Sequence, residues 1–326
     1  MIFGIDDMNG LVRHFAGLGR VFAPVRTPGG RLVWDDVTGG EEIDLSARTD
    51  VSARNVFQPA TSYYLRFGAG NDAAPEFSAM PPEHHTVIGM RPCDVASLGV
   101  HDRVFSDSER FRRMREKTLV VGLLCRAREA SCFCEALGGS PGDRSGMDLV
   151  LYTGSDGEVY LETVTEKGAR SLEGAAFHEA EGTPPPEVAE AGSVTELPRD
   201  IASLALKADD RVWEEISFPC VNCRVCTYVC PTCHCFTITD ETFGNAGARA
   251  AVWDSCQSRE FTLEASGHNP RETGAARARQ RIMHKFAWFP SVSEGAVMCT
   301  GCGRCVSGCP TGRSIVEDLA IIAGEV

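Results

Sequence analysis

The sequence lacks the features that would place it in a membrane, on a secretory route or on a nucleic acid. Its longest apolar run, residues 118–124 (TLVVGLL), is far shorter than the roughly 20 residues of a membrane-spanning helix. Residues 1–15 (MIFGIDDMNGLVRHF) carry two early acids and no apolar stretch of the kind found in secretory signals. The net charge of −13 provides no basic excess for binding phosphates. We therefore expect a cytoplasmic protein with no transmembrane segment and no nucleic-acid partner.

Phosphate-binding glycine motifs are also missing. No GxGxxG follows a predicted strand, and the chain has no P-loop, so we expect no nicotinamide site on it. Hydrophobic residues make up 43% of the chain and charged residues 24%, which is ordinary for a globular protein. The length of 326 residues suggests about two domains.

Residues 1–178 are expected to form a mixed α/β domain. The apolar runs 85–90 and 118–124 predict two buried strands, and the charged segment 103–117 between them predicts a surface helix. This strand–helix–strand order favours a parallel pairing with a right-handed crossover.

A hairpin and a linker are expected to follow. Residues 147–153 and 158–164 flank a turn that contains Asp156-Gly157, which is a hairpin signal. The segment 179–198 is rich in Pro, Glu and Gly and is interpreted as a linker. Apolar residues then recur every three or four positions over residues 199–218, which predicts one amphipathic helix at the start of a second domain, 199–326.

Cysteine is the residue type that stands out. The chain has 15 cysteines, and an odd number without a secretory signal argues against a disulfide framework. Eight of them form two copies of the spacing C-x2-C-x2-C-x3-C-P, which is the bacterial ferredoxin pattern for [4Fe–4S] clusters. Structural zinc sites use C-x2-C pairs instead. The two runs are Cys220, Cys223, Cys226 and Cys230, and Cys299, Cys302, Cys305 and Cys309.

In two-cluster ferredoxins the fourth cysteine of each run binds the other cluster. We therefore predict cluster A at Cys220, Cys223, Cys226 and Cys309. We predict cluster B at Cys299, Cys302, Cys305 and Cys230. The expected fold class is α+β or α/β, with an N-terminal mixed α/β domain followed by a two-cluster ferredoxin-like domain with a large helical insert, 236–298.

The insert carries a local excess of basic residues. This excess either raises the potentials of the clusters, or meets an acidic partner or anionic cofactor, or forms a solvated helix face. Arg277, Arg279 and Arg281 alternate, so they cannot all share one helix face. The basic residues are Arg249, Arg259, Arg271, Arg277, Arg279, Arg281 and Lys285.

Four further cysteines fall in the N-terminal domain. Cys93 and Cys125 each follow a predicted strand, and parallel strands would place both at the carboxyl edge of the sheet. Cys132 and Cys134 come within loop reach of Cys125. These four could bind a third [4Fe–4S] cluster, with the nearby Asp94 lowering its potential, or they could be buried free thiols.

The last three cysteines lie close to the first run or in the insert. Cys233, Cys235 and Cys256 could bind another cluster or metal, act as redox-active thiols, or pack against cluster B.

Several segments resemble one group of iron–sulfur proteins. In the C-terminal half the chain resembles the beta subunits of cytoplasmic nickel–iron sulfhydrogenases and the corresponding iron–sulfur subunit of anaerobic sulfite reductase. The N-terminal RPCD (residues 91–94) and CFC (132–134) agree with this family, whereas the first 50 residues match it poorly. The C-terminal segments are CPTCHCF (230–236), WDSC (253–256), GHNPR (267–271), HKF (284–286) and CTGCGRCVSGCP (299–310).

The resemblance implies an electron-transfer subunit, with no catalytic residues of its own, in a hetero-oligomer. A partner subunit would bind flavin and NAD(P), and single electrons would pass through the clusters to a catalytic partner. That partner would be a hydrogenase, a sulfite reductase or a heterodisulfide-type reductase. The alternative is a sulfur or disulfide reductase that works at the extra thiols Cys233, Cys235 and Cys256.

Overall fold

The computed structural model describes residues 1–68, 76–77, 84–180, 185–189 and 196–324. It divides into two compact units. Unit 1 comprises Met1–Phe57, Pro81–Thr195 and Thr300–Gly303. Unit 2 comprises Gln58–Met80, Glu196–Cys299 and Arg304–Val326.

Strands supply both units with a sheet. In chain order they are β1 (Ile2–Gly4), β2 (Arg20–Arg26), β3 (Leu32–Asp36), β4 (Thr61–Phe67), β5 (Glu76–Phe77), β6 (His85–Met90), β7 (Thr118–Leu123), β8 (Leu149–Thr153), β9 (Val159–Thr163), β10 (His178–Glu179), β11 (Phe236–Phe243) and β12 (Ala246–Trp253).

The helices are mostly short, and none in the described part of the chain is both long and apolar enough to cross a membrane. They are α1 (Met8–Ala16), α2 (Arg54–Phe57), α3 (Pro92–Val104), α4 (Glu109–Lys117), α5 (Glu166–Ser171), α6 (Ile201–Lys207), α7 (Asp210–Ser217), α8 (Val225–Tyr228), α9 (Gly274–Met283), α10 (Phe289–Val292), α11 (Arg304–Ser307) and α12 (Ile315–Ala323). A π-helical turn, His284–Trp288, extends α9.

Unit 1 is built on an eight-stranded sheet of order β10-β1-β9-β8-β7-β6-β2-β3. The central strands β2, β6, β7 and β8 are parallel, and the outer pairings are antiparallel. The predicted parallel strands β6 and β7 and the predicted β8–β9 hairpin are therefore confirmed. The carboxyl ends of β6 and β7 meet at one edge, where Met90 pairs with Gly122.

Both faces of this sheet are buried. Val87 and Val120 belong to one cluster of buried apolar side chains. Their neighbours Ile88 and Val121 belong to a second cluster. Successive strand residues point to opposite faces, so the two clusters cover the two sides of the sheet. This explains why these strands are continuous apolar runs with no alternation.

The helix predicted over residues 103–117 corresponds to α4 and overlaps only the last two residues of α3. Helix α3 begins directly after β6, and α4 follows a break at Phe105–Ser108, where the Ser108 side chain accepts a hydrogen bond from the Phe111 N–H. Buried residues lie all around α3, so it lacks the amphipathic periodicity from which a surface helix is predicted.

Unit 2 combines a four-stranded antiparallel sheet, β11-β12-β4-β5, with the helices from α6 to α12. The single amphipathic helix predicted over 199–218 is wrong, because α6 and α7 are separate. The helical backbone is interrupted before Asp209, which is the N-cap of α7. Its carboxylate accepts hydrogen bonds from the backbone N–H groups of Arg211 and Val212.

The two units differ from the predicted domains at several places. Gln58–Met80 belongs to unit 2, because β4 pairs with β12 far along the chain. Thr300–Gly303 belongs to unit 1. The insert 236–298 is not purely helical, since it opens with the β11–β12 hairpin. Half of the predicted linker 179–198, residues 181–184 and 190–195, lies outside the described residues. Of its described residues, 185–189 belong to unit 1, where the Glu187 N–H donates to the Thr153 carbonyl and the Ala189 N–H to the Cys125 carbonyl.

Candidate iron–sulfur centres

The two cysteine runs share one backbone conformation. The second and fourth residues after the first cysteine of each run are left-handed: Asn222 (φ 55°) and Arg224 (φ 66°) in one, Gly301 (φ 63°) and Gly303 (φ 72°) in the other. A short helix follows at the same offset in each, α8 or α11. Left-handed residues curl the chain locally, so both runs make the same tight turns between their cysteines.

A second repeated feature is the sequence Cys-Pro-Thr at the end of each run. The sulfur of Cys230 lies 3.3 Å from Thr232 Oγ1, and the sulfur of Cys309 lies 3.4 Å from Thr311 Oγ1. In both copies a hydroxyl therefore hydrogen-bonds the fourth cysteine. Neither threonine is among the predicted site residues, although the repeated CPT triplet is a visible signal in the sequence.

The four cysteines predicted for cluster A line one cavity in unit 2. Cys220, Cys223 and Cys226 come from the first run, and Cys309 comes from the end of the second. Cys305 also borders this cavity. This cavity therefore brings together cysteines of both runs, which are far apart in sequence.

A buried cation faces the same cavity. Arg281 lines it and is 8% exposed, yet its Nε and Nη2 have no hydrogen-bond partner. Burial raises the pKa of the Cys226 thiol to about 11, against the lowering effect of Arg281. Four thiols with an orphaned guanidinium beside them fit a cofactor that carries negative charge. A thiolate-bound [4Fe–4S] cluster is such a cofactor.

The predicted cluster B ligands in unit 2 include Cys230, which is buried beside an equally buried lysine. Lys285 Nζ donates to Cys230 Sγ at 3.5 Å, to Thr232 Oγ1 at 2.8 Å and to the Met298 carbonyl at 3.0 Å. A hydrogen bond from the Cys233 thiol lowers the pKa of Cys230 well below its usual range, and Lys285 adds to this against the effect of burial. Cys230 is thus set up as a thiolate.

Cys302 belongs to unit 1, so its assignment to cluster B continues to rest on the spacing of its run. In unit 1 its segment passes very close to residues 131–134. A Cβ at Gly301 would lie 2.4 Å from Cys134 Cα, and a Cβ at Gly303 would lie 2.2 Å from the Ser131 carbonyl oxygen. Both positions therefore require glycine, for the close approach as well as for their positive φ.

The four N-terminal cysteines surround one cavity of unit 1, with a volume of about 680 Å³. The cavity lies beyond the carboxyl ends of β6 and β7, which is where ligands bind in open α/β sheets. Cys302 is a fifth cysteine in its wall, and its carbonyl oxygen is 3.9 Å from Cys132 Sγ. The other four are Cys93, Cys125, Cys132 and Cys134.

Positive charge is also directed at this cavity. Arg91 donates to the Leu124 and Leu45 carbonyls at 3.1 and 3.0 Å, so backbone groups hold it in the cavity wall. Burial raises the pKa of Cys125 to about 11, and Arg91 opposes that rise. Cys93 lies in the first turn of α3, where the helix dipole favours negative charge. These features fit a thiolate-bound cluster as well.

The three remaining cysteines lie in two thiol pairs. Cys233 donates a hydrogen bond to Cys230. Cys235 precedes β11 and Cys256 follows β12, so the base of the hairpin brings them together. The hydrogen bond from Cys235 lowers the pKa of Cys256 to about 6. Within the described residues no three His, Cys, Asp or Glu side chains are grouped so as to bind a single metal ion.

Residues 219–313 match the family model of the 4Fe-4S dicluster domain. The chain carries a dicluster domain. Such a domain holds two [4Fe–4S] clusters, as the two cysteine runs predict.

The chain is also similar to sulfhydrogenase 2 subunit beta of Pyrococcus furiosus. The two are 28% identical over 317 residues, which span 90% of this chain and 89% of the relative. No solved structure matches the chain. The likeness extends well beyond the dicluster domain and confirms the predicted resemblance to iron–sulfur beta subunits of hydrogenases. Nothing in it bears on sulfite reductase.

Proposed function

We propose that this chain relays single electrons between a flavin- and NAD(P)-binding partner subunit and a catalytic partner in a cytoplasmic complex. A [4Fe–4S] cluster accepts and releases one electron at a time, which is what such a relay needs. The name of the related subunit makes a hydrogenase the favoured catalytic partner. All 15 cysteines are free thiols, in keeping with a reducing compartment.

One observation carries the proposal: cysteines of both runs line a single cavity. Cys309 lies with Cys220, Cys223 and Cys226, as crossed ligation requires. Crossed ligation intertwines the two runs and keeps two clusters near each other, which favours transfer between them. We assign cluster A to these four cysteines, and cluster B to Cys230, Cys299, Cys302 and Cys305.

We further propose that Cys93, Cys125, Cys132 and Cys134 hold a third [4Fe–4S] cluster. Cys302 supports this assignment, because this proposed ligand of cluster B lines the same cavity. An electron at the third site would then lie beside Cys302, a proposed ligand of cluster B. In this arrangement unit 1 is part of the electron path.

The protein's own residues give this path its properties. Arg91, Arg281 and Lys285 supply fixed positive charge next to the thiolates. The hydroxyls of Thr232 and Thr311 lie within hydrogen-bond distance of ligand sulfurs. Such charges and hydrogen bonds set the potential of a cluster, and a buried site limits its contact with water.

The test is the iron and acid-labile sulfide content of the anaerobically purified full chain. Two clusters predict about eight iron atoms per chain and three predict about twelve. Cys125→Ser should lower the iron content by about four atoms while the spectrum of the dicluster pair is retained. Cys226→Ser should remove or alter cluster A.

Cys235→Ser is the matched control, because Cys235 lies outside all three proposed ligand sets and hydrogen-bonds Cys256, which is also outside them. It should leave the iron content unchanged. A wild-type chain with only redox-inactive metal would contradict the whole proposal. Full iron in Cys125→Ser would contradict the third cluster alone.

The partners can be tested by purifying the chain from its native cells under anaerobic conditions. We expect it to co-purify with a flavin-containing subunit and a nickel–iron subunit. NADPH or NADH should then reduce its clusters in the complex and leave them oxidised in the isolated chain. Reduction of the isolated chain by either nucleotide would contradict the division of labour between subunits.

The alternative activity, reduction of sulfur or disulfides at the extra thiols, has one observation in its favour. Cys256, with a pKa of about 6, is a ready nucleophile beside Cys235. Its burial opposes access of a substrate, since Cys256 is 7% exposed. Turnover of polysulfide by the isolated chain with reduced methyl viologen, lost in Cys235→Ser and Cys256→Ser, would favour this activity.

A further inference from the structure

One face of α9 and its π-helical extension carries three buried cations. Arg277, Arg281 and Lys285 follow each other at intervals of four residues, so they lie on one stripe of the helix. Their exposures are 6%, 8% and 2%. Arg279, between the first two, lies off this stripe and is half-buried. Buried cations are rare unless an anion is near them.

Neutral groups alone do not account for these charges. The three protons of the Lys285 ammonium are all used, on Cys230 Sγ, Thr232 Oγ1 and the Met298 carbonyl. Arg281 leaves Nε and Nη2 without partners in the cavity of cluster A. Within the described part of the chain, neither side chain forms an ion pair with a carboxylate. Asp318 lies in the wall of the same cavity as Arg281, but its carboxylate is paired with Arg313 at 2.8 Å. The other groups next to the two cations that can carry negative charge are the cysteines.

We propose that Arg281 and Lys285 are positioning residues that set the reduction potentials of the two clusters separately, Arg281 for cluster A and Lys285 for cluster B. This rests on the ligand sets of the proposed function. Each reduction adds one negative charge to a cluster. A fixed cation stabilises the reduced form more than the oxidised form, so it raises the potential.

Arg277 has a supporting role at the end of the same stripe. Its Nη2 donates to Asn222 Oδ1 at 3.1 Å, and its Nη1 donates to the Arg271 and Glu272 carbonyls. Asn222 is one of the left-handed residues between Cys220 and Cys223. Arg277 thus holds the loop of cluster A in shape, whereas the next two cations act by their charge.

The experiment is a redox titration of the anaerobically purified full chain, followed by EPR. Lys285→Met should make reduction of cluster B at least about tenfold less favourable, which is 59 mV for a one-electron couple, and should change cluster A less. Arg281→Met should make reduction of cluster A less favourable by a similar factor and should change cluster B less. Lys285→Arg, which keeps the charge, should recover most of the loss. Cys309→Ser identifies the signal of cluster A.

Arg279→Met is the matched control, because it removes the same charge from the same helix on another face. It should shift the potential of neither cluster by more than a small fraction of the shift expected for Lys285→Met or Arg281→Met. Lys285→Gln replaces Lys285→Met if the apolar variant fails to fold. Full iron content with unmoved potentials in Lys285→Met and Arg281→Met would overturn the inference. If each variant shifted the potentials of both clusters equally, the assignment of Arg281 to cluster A and Lys285 to cluster B would be overturned. Absence of iron in the wild-type chain would instead contradict the proposed function.

Discussion

The two cysteine runs have the same spacing but different residues between their cysteines, and the structure gives a reason for the difference. Both runs need left-handed residues at the same two offsets, yet one uses Asn222 and Arg224 and the other uses two glycines. A left-handed non-glycine residue costs roughly 1–2 kcal/mol. Gly301 and Gly303 cannot be replaced even at that cost, because the backbone of residues 131–134 occupies the space of a Cβ.

Gly303→Ala should therefore destabilise the protein far more than Gly312→Ala. The two glycines share φ 72°, but a Cβ at Gly312 meets nothing within 4 Å. We expect about 1–2 kcal/mol for Gly312→Ala from backbone strain, and about 2–5 kcal/mol for Gly303→Ala, where the clash with Ser131 is added. Thermal unfolding and iron content of both variants are the measurements. Equal losses would mean that φ alone selects glycine at these positions.

Thr311, the threonine of the second Cys-Pro-Thr triplet, should act on cluster A through one hydrogen bond to Cys309. Thr311→Val keeps the shape of the side chain and removes the hydroxyl that lies 3.4 Å from Cys309 Sγ. A hydrogen bond to a ligand sulfur stabilises the reduced cluster, so reduction of cluster A should become roughly two- to tenfold less favourable. Thr311→Ser should behave like the wild type in a redox titration. An unchanged potential in Thr311→Val would assign the threonine to packing alone.

At the scale of elements, α7 delivers the chain to the first cysteine run. It ends at Ser217, whose carbonyl accepts a hydrogen bond from the Cys220 N–H. Its start depends on Asp209, which caps the helix after the break from α6. Asp209→Ala should cost about 1 kcal/mol, whereas Asp209→Ser, which keeps a capping oxygen, should cost a few tenths. Thermal unfolding separates the two variants; if they lose equal stability, the cap is not what starts α7.

The elements also show how far the sequence could predict this molecule. Residues 85–90 and 118–124 could be identified as strands, because both faces of the sheet are buried and the runs are predominantly apolar. The α3 helix escaped prediction for the same reason, since a helix buried all round has no polar face. The pairing of β4 with β12 was also beyond prediction, because nothing local encodes a contact between residues so far apart in sequence.

The candidate site, like the fold, was only partly predictable from the sequence. The spacing of the cysteines identified the dicluster domain, and the strand ends indicated that Cys93 and Cys125 share one sheet edge. The buried role of Arg281 and Lys285 could not be derived from composition, which showed only an excess of basic residues. Whether a charged residue is buried depends on which anion the fold places beside it, and that is a tertiary property.

At the scale of the whole molecule, both units bury apolar side chains, Trp213, Ile282 and Leu319 among those of unit 2, but unit 2 also buries three cations in one stripe. Both clusters of buried apolar side chains belong to unit 1 and cover the two faces of its sheet. Unit 2 buries charged side chains around the cysteine runs, among them Arg277, Arg281 and Lys285. Without anionic clusters these cations would repel one another in a region that water does not reach.

Removal of iron should therefore unfold unit 2 before unit 1. Cluster binding is coupled to folding wherever the ligands are otherwise spread along the chain, as they are here. We expect chelation under reducing conditions to abolish protection from amide hydrogen exchange in α8, α9 and α11, while β6, β7 and β8 stay protected. Exchange measured by mass spectrometry before and after chelation, with a mock-treated sample as control, tests this. Uniform loss of protection in both units would show that the sheet of unit 1 also depends on iron. Retained protection in α9 would show that the buried cations are stable without their anions, which would remove the electrostatic basis for cluster-dependent folding.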